Sequence, residues 1–153
     1  MCLGNICRSP IAEGVMRHLV ADAKLGDRIS VSSAGTAGYH SGEPPDRRAC
    51  ACGKRRGVPV DGRARQFQRS DWQRFDYVLA LDRSNYDDLL ETLPGAEYRS
   101  KLHLLRSFDP DSPSGASVPD PYYGGDEGFD EVMDLCFSAC RPLLERLRRE
   151  HGL

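Results

Sequence analysis

No stretch of this sequence approaches the roughly twenty consecutive apolar residues that cross a bilayer. Its longest uninterrupted apolar run is Tyr77–Leu81. No basic-then-apolar leader opens the sequence as given, so nothing reads as a secretory signal. Charge of one sign is also missing: Lys and Arg total 21 against 23 Asp and Glu, a formal net charge of −2. Bulk electrostatics therefore gives no argument for nucleic acid or an anionic surface, and neither a nucleic-acid nor a membrane partner is expected. Histidine is scarce, with four in the chain. The close pairs Cys50/Cys52 and Cys136/Cys140 lack the histidine or third pair that would complete a zinc set, so no metal is expected and these four cysteines read as structural. Repeats and a linker are absent as well, and 153 residues suit one domain, 1–153, with a sizeable core. Six cysteines without a leader point to reduced thiols and a cytoplasmic setting.

What is present is concentrated at the start. Cys2-Leu3-Gly4-Asn5-Ile6-Cys7-Arg8-Ser9-Pro10 runs directly into the helical spacing Ile11, Val15, Met16, Leu19. Gly4 and Asn5 both tolerate left-handed backbone, and a loop so built can turn successive N–H groups inward as an anion-binding nest. Pro10 is pre-organised for a first helical turn, and a helix N-terminus adds unpaired N–H groups and positive partial charge at the same place. Such surroundings, with Arg8 alongside, favour the thiolate of Cys2. The Arg8 guanidinium can grip two phosphate oxygens together. A thiolate held beneath phosphorus is a nucleophile placed for in-line displacement.

The rest of the chain alternates short apolar strands with helices. Helices are expected over Ser9–Ala23, from Asp46 to a stop at Gly57, at Ser70–Trp72, from an Asp82 or Ser84 cap to Thr92, and over Phe129–His151, with a kink or break at Pro142. Strands are expected at Ile29–Ser33, Tyr77–Leu81 and Leu102–Leu105, with a short extended piece at Ala64–Phe67. That alternation gives an α/β fold with a parallel sheet, whose ligands bind beyond the carboxyl ends of the strands. The basic run Arg47 to Arg69 reads as a solvated face, with recruitment of acidic phosphoprotein segments as the sharper alternative. Residues 107–128 form a long loop of Pro, Gly, Asp and Ser, and loops of that length are usually functional. Within it, Asp120 lies between Pro119 and Pro121, which stiffen its backbone, and Tyr122 and Tyr123 offer an aromatic wall. A phenol has a pKa of about 10, so an aryl oxide leaves faster when an acid such as Asp120 protonates it.

With these residues in place the sequence resembles the low-molecular-weight protein tyrosine phosphatase family. The matching residues are Cys2 to Pro10, Ser32-Ser33-Ala34-Gly35-Thr36, Pro44-Pro45-Asp46-Arg47, Ala64-Arg65-Gln66, Phe75-Asp76-Tyr77, Asp82-Arg83-Ser84-Asn85 and Asp120-Pro121-Tyr122-Tyr123. The resemblance implies a four-stranded parallel sheet flanked by helices on both faces, with the first strand missing or truncated before Cys2. It implies Cys2 as nucleophile, Arg8 as phosphate clamp and Asp120 as general acid and then base, without a cofactor. Leu3, Gly4, Asn5, Ile6, Cys7 and Ser9 would line the substrate site, and Tyr39, His40, Tyr122 and Tyr123 its rim. Asn5, Ser9 and Ser33 would support the loop. Cys7 would match a second loop thiol able to form a reversible disulfide with the nucleophile, the other reading being a small packed thiol. The expected partner is a phosphotyrosine protein, with a bacterial tyrosine kinase as one such substrate.

Two departures stand out. Only Met1 precedes the nucleophile, so the natural protein is expected to begin several residues earlier, and a chain starting at Met1 to be poorly stable and weakly active or inactive. Gly62 stands where many members carry a loop-supporting histidine. The competing readings are arsenate reductase on the same scaffold using Cys50 and Cys52, phosphoarginine hydrolysis, against which Ile6 in place of threonine speaks, and an inactive phosphate-binding relative.

Overall fold

A computed structural model describes residues 1–153. Its helices are α1 (Arg8–Asp22), α2 (Arg47–Arg56), α3 (Asp71–Arg74), α4 (Arg83–Leu90) and α5 (Glu127–His151), and its strands β1 (Val78–Ala80) and β2 (Leu102–Leu104). Two short 3-10 turns, Ala96–Lys101 and Leu105–Phe108, bracket β2. The ends follow local chemistry. The Asp46 carboxylate accepts from the Arg48 N–H at 2.8 Å, capping α2, and Gly57 closes it at φ +69, the left-handed stop that glycine adopts without strain. Asp82, not Ser84, caps α4, accepting the Asn85 N–H at 2.7 Å.

α5 carries an apolar stripe of Phe129, Val132, Met133, Cys136, Ala139, Cys140, Leu143, Leu144 and Leu147, all buried. It lies against Ile11, Val15 and Leu19 of α1 and, at its start, against α2. Each large side chain withdrawn there contributes roughly 1.5–3 kcal/mol. Of the kink or break expected at Pro142, the break does not occur: α5 runs through it, because packing on both sides of the proline outweighs the one hydrogen bond lost. A second, smaller core gathers Trp72, Val78, Ala80, Leu89, Leu102 and Leu104. The Trp72 indole N–H finds Thr92 Oγ1 at 2.8 Å. From the basic run, Arg55 and Arg56 pair with Asp130, and Arg56 also with Asp134.

β1 and β2 are parallel, with Val78 opposite Leu102, Leu79 opposite His103 and Ala80 opposite Leu104. On the other side of β1 lies Met1. Its ammonium donates to the Leu79 carbonyl at 2.7 Å, and its carbonyl accepts from the Leu81 N–H at 3.0 Å. Cys2 then bridges Gly35, and Gly35 bridges Gln66, both in the parallel sense. The backbone order is therefore Gln66, Gly35, Met1–Cys2, β1, β2.

Regular sheet is confined to two strands. Ile29–Ser33 was expected to form a strand and does not. A strand is held by a neighbour's backbone, and beyond the bridge at Gly35 residues 30–33 have no backbone partner. Between them and β1 opens a groove of about 450 Å³, lined by Met1, Met16, Val31, Leu79, Leu143 and Leu147 among others.

Candidate active site

Residues 2–8 loop from the Met1–Cys2 pairing into α1, at the carboxyl end of β1. Asn5 takes φ +57, the left-handed backbone its short polar side chain tolerates. Gly4 does not share that conformation. It is needed for space instead: a Cβ there would lie 2.8 Å from His40 Cδ2. Pro10 is the third residue of α1 and not the first. The loop is pinned from outside: Thr36 N–H donates to the Cys2 carbonyl at 2.9 Å, Ala37 N–H to Leu3 at 3.0 Å and Asp46 N–H to Ile6 at 2.7 Å. Gly35 lies so close beneath it that a Cβ would stand 2.6 Å from the Leu3 carbonyl oxygen. The N–H groups of residues 3–8, in contrast, have no protein acceptor, and so remain available to an anion.

Cys2 and Arg8 are each 4% exposed, and both line one cavity of about 170 Å³ with Leu3, Gly4, Ile6, Cys7, Tyr39, His40, Asp120, Tyr122 and Tyr123. Cys2 Sγ is 3.0 Å from Ser9 Oγ. Arg8 Nη1 donates to Asp82 Oδ2 at 2.5 Å and to the Val118 carbonyl at 3.0 Å, while Nη2 is 3.8 Å from Asp120 Oδ2. The guanidinium is thus oriented by a carboxylate behind it. Asp120 Oδ1 accepts the Tyr122 N–H at 3.1 Å, and the carboxyl is open to solvent.

Asn5 uses its whole amide. Nδ2 donates to Ser9 Oγ at 2.8 Å and to Ser33 Oγ at 2.9 Å, and Oδ1 accepts from the Arg65 N–H at 3.1 Å. Ser33 in turn donates to Glu13. At the rim, Tyr39 and His40 pack with ring centroids 4.7 Å apart, and His40 Nδ1 meets Glu43 at 2.6 Å. Tyr122 and Tyr123 stand edge to face at 5.0 Å. Arg48 straps the Asp120 loop to α2: Nη2 donates to the Tyr122 carbonyl at 3.0 Å and Nη1 to Gly124 at 3.4 Å, with the guanidinium over the Phe129 ring at 4.7 Å.

The structure therefore brings together every residue the sequence assigned to the site, with Asn5, Ser9 and Ser33 behind the cavity and not in its lining. Four residues were missed in these roles. Asp82 stands in the sequence as a cap and within a matching motif, with no link to Arg8, although it ends the buried strand where ligands of parallel sheets lie. Glu13 and Arg17 sit one helical turn apart on α1, and Arg48 was counted as part of a solvated face. Cys50 and Cys52 do not line the cavity: their thiols face the Val60 carbonyl at 3.4 Å and Asp130 at 3.3 Å. Burial, seconded by the Asp46 carboxylate, pushes the Cys7 thiol up to about 12, so it is neutral at ordinary pH.

Residues 1–152 match the family described as low molecular weight phosphotyrosine protein phosphatase. The chain is 44% identical over 147 residues to the human low molecular weight phosphotyrosine protein phosphatase, covering 95% of this chain and 92% of that one. It is 44% identical over 151 residues to a low molecular weight protein-tyrosine-phosphatase of Streptomyces coelicolor, covering 98% and 92%. Among solved structures, the protein tyrosine phosphatase of Entamoeba histolytica with Hepes in the active site superposes with a TM-score of 0.92 at 41% identity, over 99% of this chain and 96% of that one.

Proposed function

The chain belongs to the low molecular weight phosphotyrosine protein phosphatase family, a phosphoric monoester hydrolase of phosphotyrosine proteins, and from that premise we propose which of its residues perform the reaction. Cys2 is the nucleophile. Its thiolate attacks phosphorus, the S–P bond forms as the P–O(aryl) bond breaks, and Asp120 delivers its proton to the departing phenolate oxygen. Water then attacks the cysteinyl phosphate, Asp120 takes a proton from it, and the S–P bond breaks to release inorganic phosphate and the thiolate. Arg8 and the unpaired amides of residues 3–8 hold the three non-bridging oxygens, whose charge is greatest in the transition state. Arg8 is pre-oriented for this by Asp82 and Val118, which lowers the ordering cost of its fork. Tyr39, His40, Tyr122 and Tyr123 flank the aryl group, and the slot they form selects a ring over a short aliphatic ester.

The observation that carries this reading is that Cys2, Arg8 and Asp120 share one cavity walled by Tyr39, Tyr122 and Tyr123. Hydrolysis of p-nitrophenyl phosphate, abolished in Cys2→Ser, tests it. Phosphate binding without turnover in the unmodified chain would favour the inactive relative. Arsenate reductase is disfavoured by the positions of Cys50 and Cys52 outside the cavity.

Three finer readings go with it. The order Gly35, Met1–Cys2, β1, β2 supports a four-stranded parallel frame. Cys7, lining the same cavity as Cys2, is the resolving thiol of a reversible disulfide under oxidation. Six free cysteines support a cytoplasmic setting, where a tyrosine kinase is the proposed protein substrate.

A further inference from the structure

We propose that Glu13, held by Arg17, is a positioning residue that fixes the direction of the hydrogen bonds ending at the Cys2 sulfur. The inference rests on the assignment of Cys2 as nucleophile. Its starting point is a count of donors and acceptors. An ionised carboxylate only accepts. Glu13 Oε1 forms an ion pair with Arg17 Nη2 at 2.7 Å, and Arg17 donates to the Val31 carbonyl through Nε at 3.3 Å and Nη2 at 3.2 Å. Glu13 Oε2 is left facing Ser33, whose hydroxyl must donate to it. Ser33 Oγ then has only lone pairs to offer Asn5, so the Asn5 Nδ2 side must face it.

That orientation of Asn5 decides the rest. With Nδ2 toward both serines, Ser9 Oγ accepts from Asn5 at 2.8 Å, and its single proton is directed at Cys2 Sγ, 3.0 Å away. A flipped Asn5 would present Oδ1 to both serines. Ser9 would then donate to Asn5 and not to sulfur, Ser33 could no longer donate to Glu13, and Nδ2 would confront the Arg65 N–H. The Arg65 N–H and the Glu13 carboxylate thus select the same amide orientation from opposite ends. A hydrogen bond to an ionised group is among the stronger ones, so the directed Ser9 proton stabilises the thiolate without touching substrate. The charge that neutralises Glu13 comes from its own helix one turn on, and Arg17 also approaches Asp61 at 3.8 Å.

The charged and titratable groups facing Cys2 from the surrounding elements are the Met1 ammonium, Cys7, Arg8, His40 and Asp120, with Asp82 behind Arg8. Of these, only the Met1 ammonium is coupled to Glu13, whose charge favours its protonated form; Ser33→Ala leaves that charge in place, so a shift in thiolate reactivity shared by the Ser33 and Glu13 variants reports the relay. The test is the rate of Cys2 alkylation by iodoacetate between pH 4 and 9, alongside kcat/KM for p-nitrophenyl phosphate and the urea midpoint. Glu13→Ala and Ser33→Ala are expected to raise the midpoint of the alkylation profile by about one pH unit and to lower kcat/KM roughly ten-fold. Glu13→Gln keeps the volume but offers one acceptor to two donors, and should fall between Glu13→Ala and the parent chain. Alkylation midpoints and kcat/KM within two-fold of the parent in both Glu13 variants, whatever the urea midpoint does, would overturn the proposal and leave Glu13 a purely structural group. Loss of activity in the parent chain that does not track alkylation of Cys2 would instead overturn the nucleophile assignment, and this proposal with it.

Discussion

Arg8 shows how much of the site depends on single contacts. A guanidinium 4% exposed is costly to bury unless paired, and its partner is Asp82 at 2.5 Å. Asp82→Asn would keep a similar shape but remove the charge that orients the fork. We expect kcat/KM for aryl phosphates to fall by on the order of ten-fold to a hundred-fold, with the helix cap largely kept because Asn also caps. Steady-state kinetics with a urea titration checks both halves. Gly35 is the steric counterpart. Its absent Cβ would stand 2.6 Å from the Leu3 carbonyl oxygen and 2.9 Å from that of Ala37, both backbone atoms that cannot swing aside. Gly35→Ala should therefore cost about 1–3 kcal/mol and loosen the phosphate loop, visible as a lower urea midpoint together with weaker inhibition by inorganic phosphate. At this scale the sequence was most legible where the proposed chemistry needs a rare residue type: Cys2, Arg8 and Asp120 stood out, and the fold brings them to one cavity. Asp82 and Glu13 did not, because a carboxylate on a helix surface and one behind an arginine are spelled alike.

Elements carry the proposed acid, Asp120, to the proposed nucleophile, Cys2. Asp120 belongs to a long loop, while Arg48 belongs to α2, and the strap between them runs through the Tyr122 and Gly124 carbonyls. The Asp46 carboxyl is held below its usual range by its hydrogen bond to Arg48, so the strap's anchor stays ionised. Arg48→Ala should slow substrates with poor leaving groups more than good ones, because a loose loop delivers its proton less often. A leaving-group series on the variant, showing a steeper dependence than the parent chain, is the expected result. Helices were the easiest elements to read. The Asp46 cap and Gly57 stop of α2 are local signals, and the apolar period of α5 continues through the proline that was expected to kink or break it. The strand at Ile29–Ser33 was read from side chains alone, and side chains do not say whether a backbone neighbour is there.

For the molecule as a whole, the groove between residues 30–33 and β1 and the buried thiols govern stability. A segment of alternating Val and Ile joined ahead of Met1 would meet unpaired backbone on both flanks and apolar side chains above and below. Two buried side chains at roughly 1.5–3 kcal/mol each correspond to a rise in Tm on the order of 10 °C. A Gly-Ser segment of equal length should give none, and calorimetry of the two distinguishes them. pH acts through Cys7 and Cys140, both pushed by burial from 9.0 up to about 12. Their folded values lie above the unfolded one. The stability they confer is complete below pH 9 and is lost as pH climbs from 9 toward 12, at up to about 1.4 kcal/mol per thiol per pH unit. Urea midpoints at pH 8, 9.5 and 10.5 should fall progressively. The family was legible in the motifs, which are spread in order along the whole chain, whereas the groove depends on which backbones meet across it and has no sequence signature.

The burial of those sulfurs also has a use at the bench. Cys7, Cys50, Cys52, Cys136 and Cys140 are all held toward the protonated form by their packing, which leaves one sulfur to compete for an electrophile. An aryl vinyl sulfone carrying a fluorophore would tag the protein once per molecule at neutral pH, so active-site titration, imaging or immobilisation could proceed without first editing any other cysteine out of the chain.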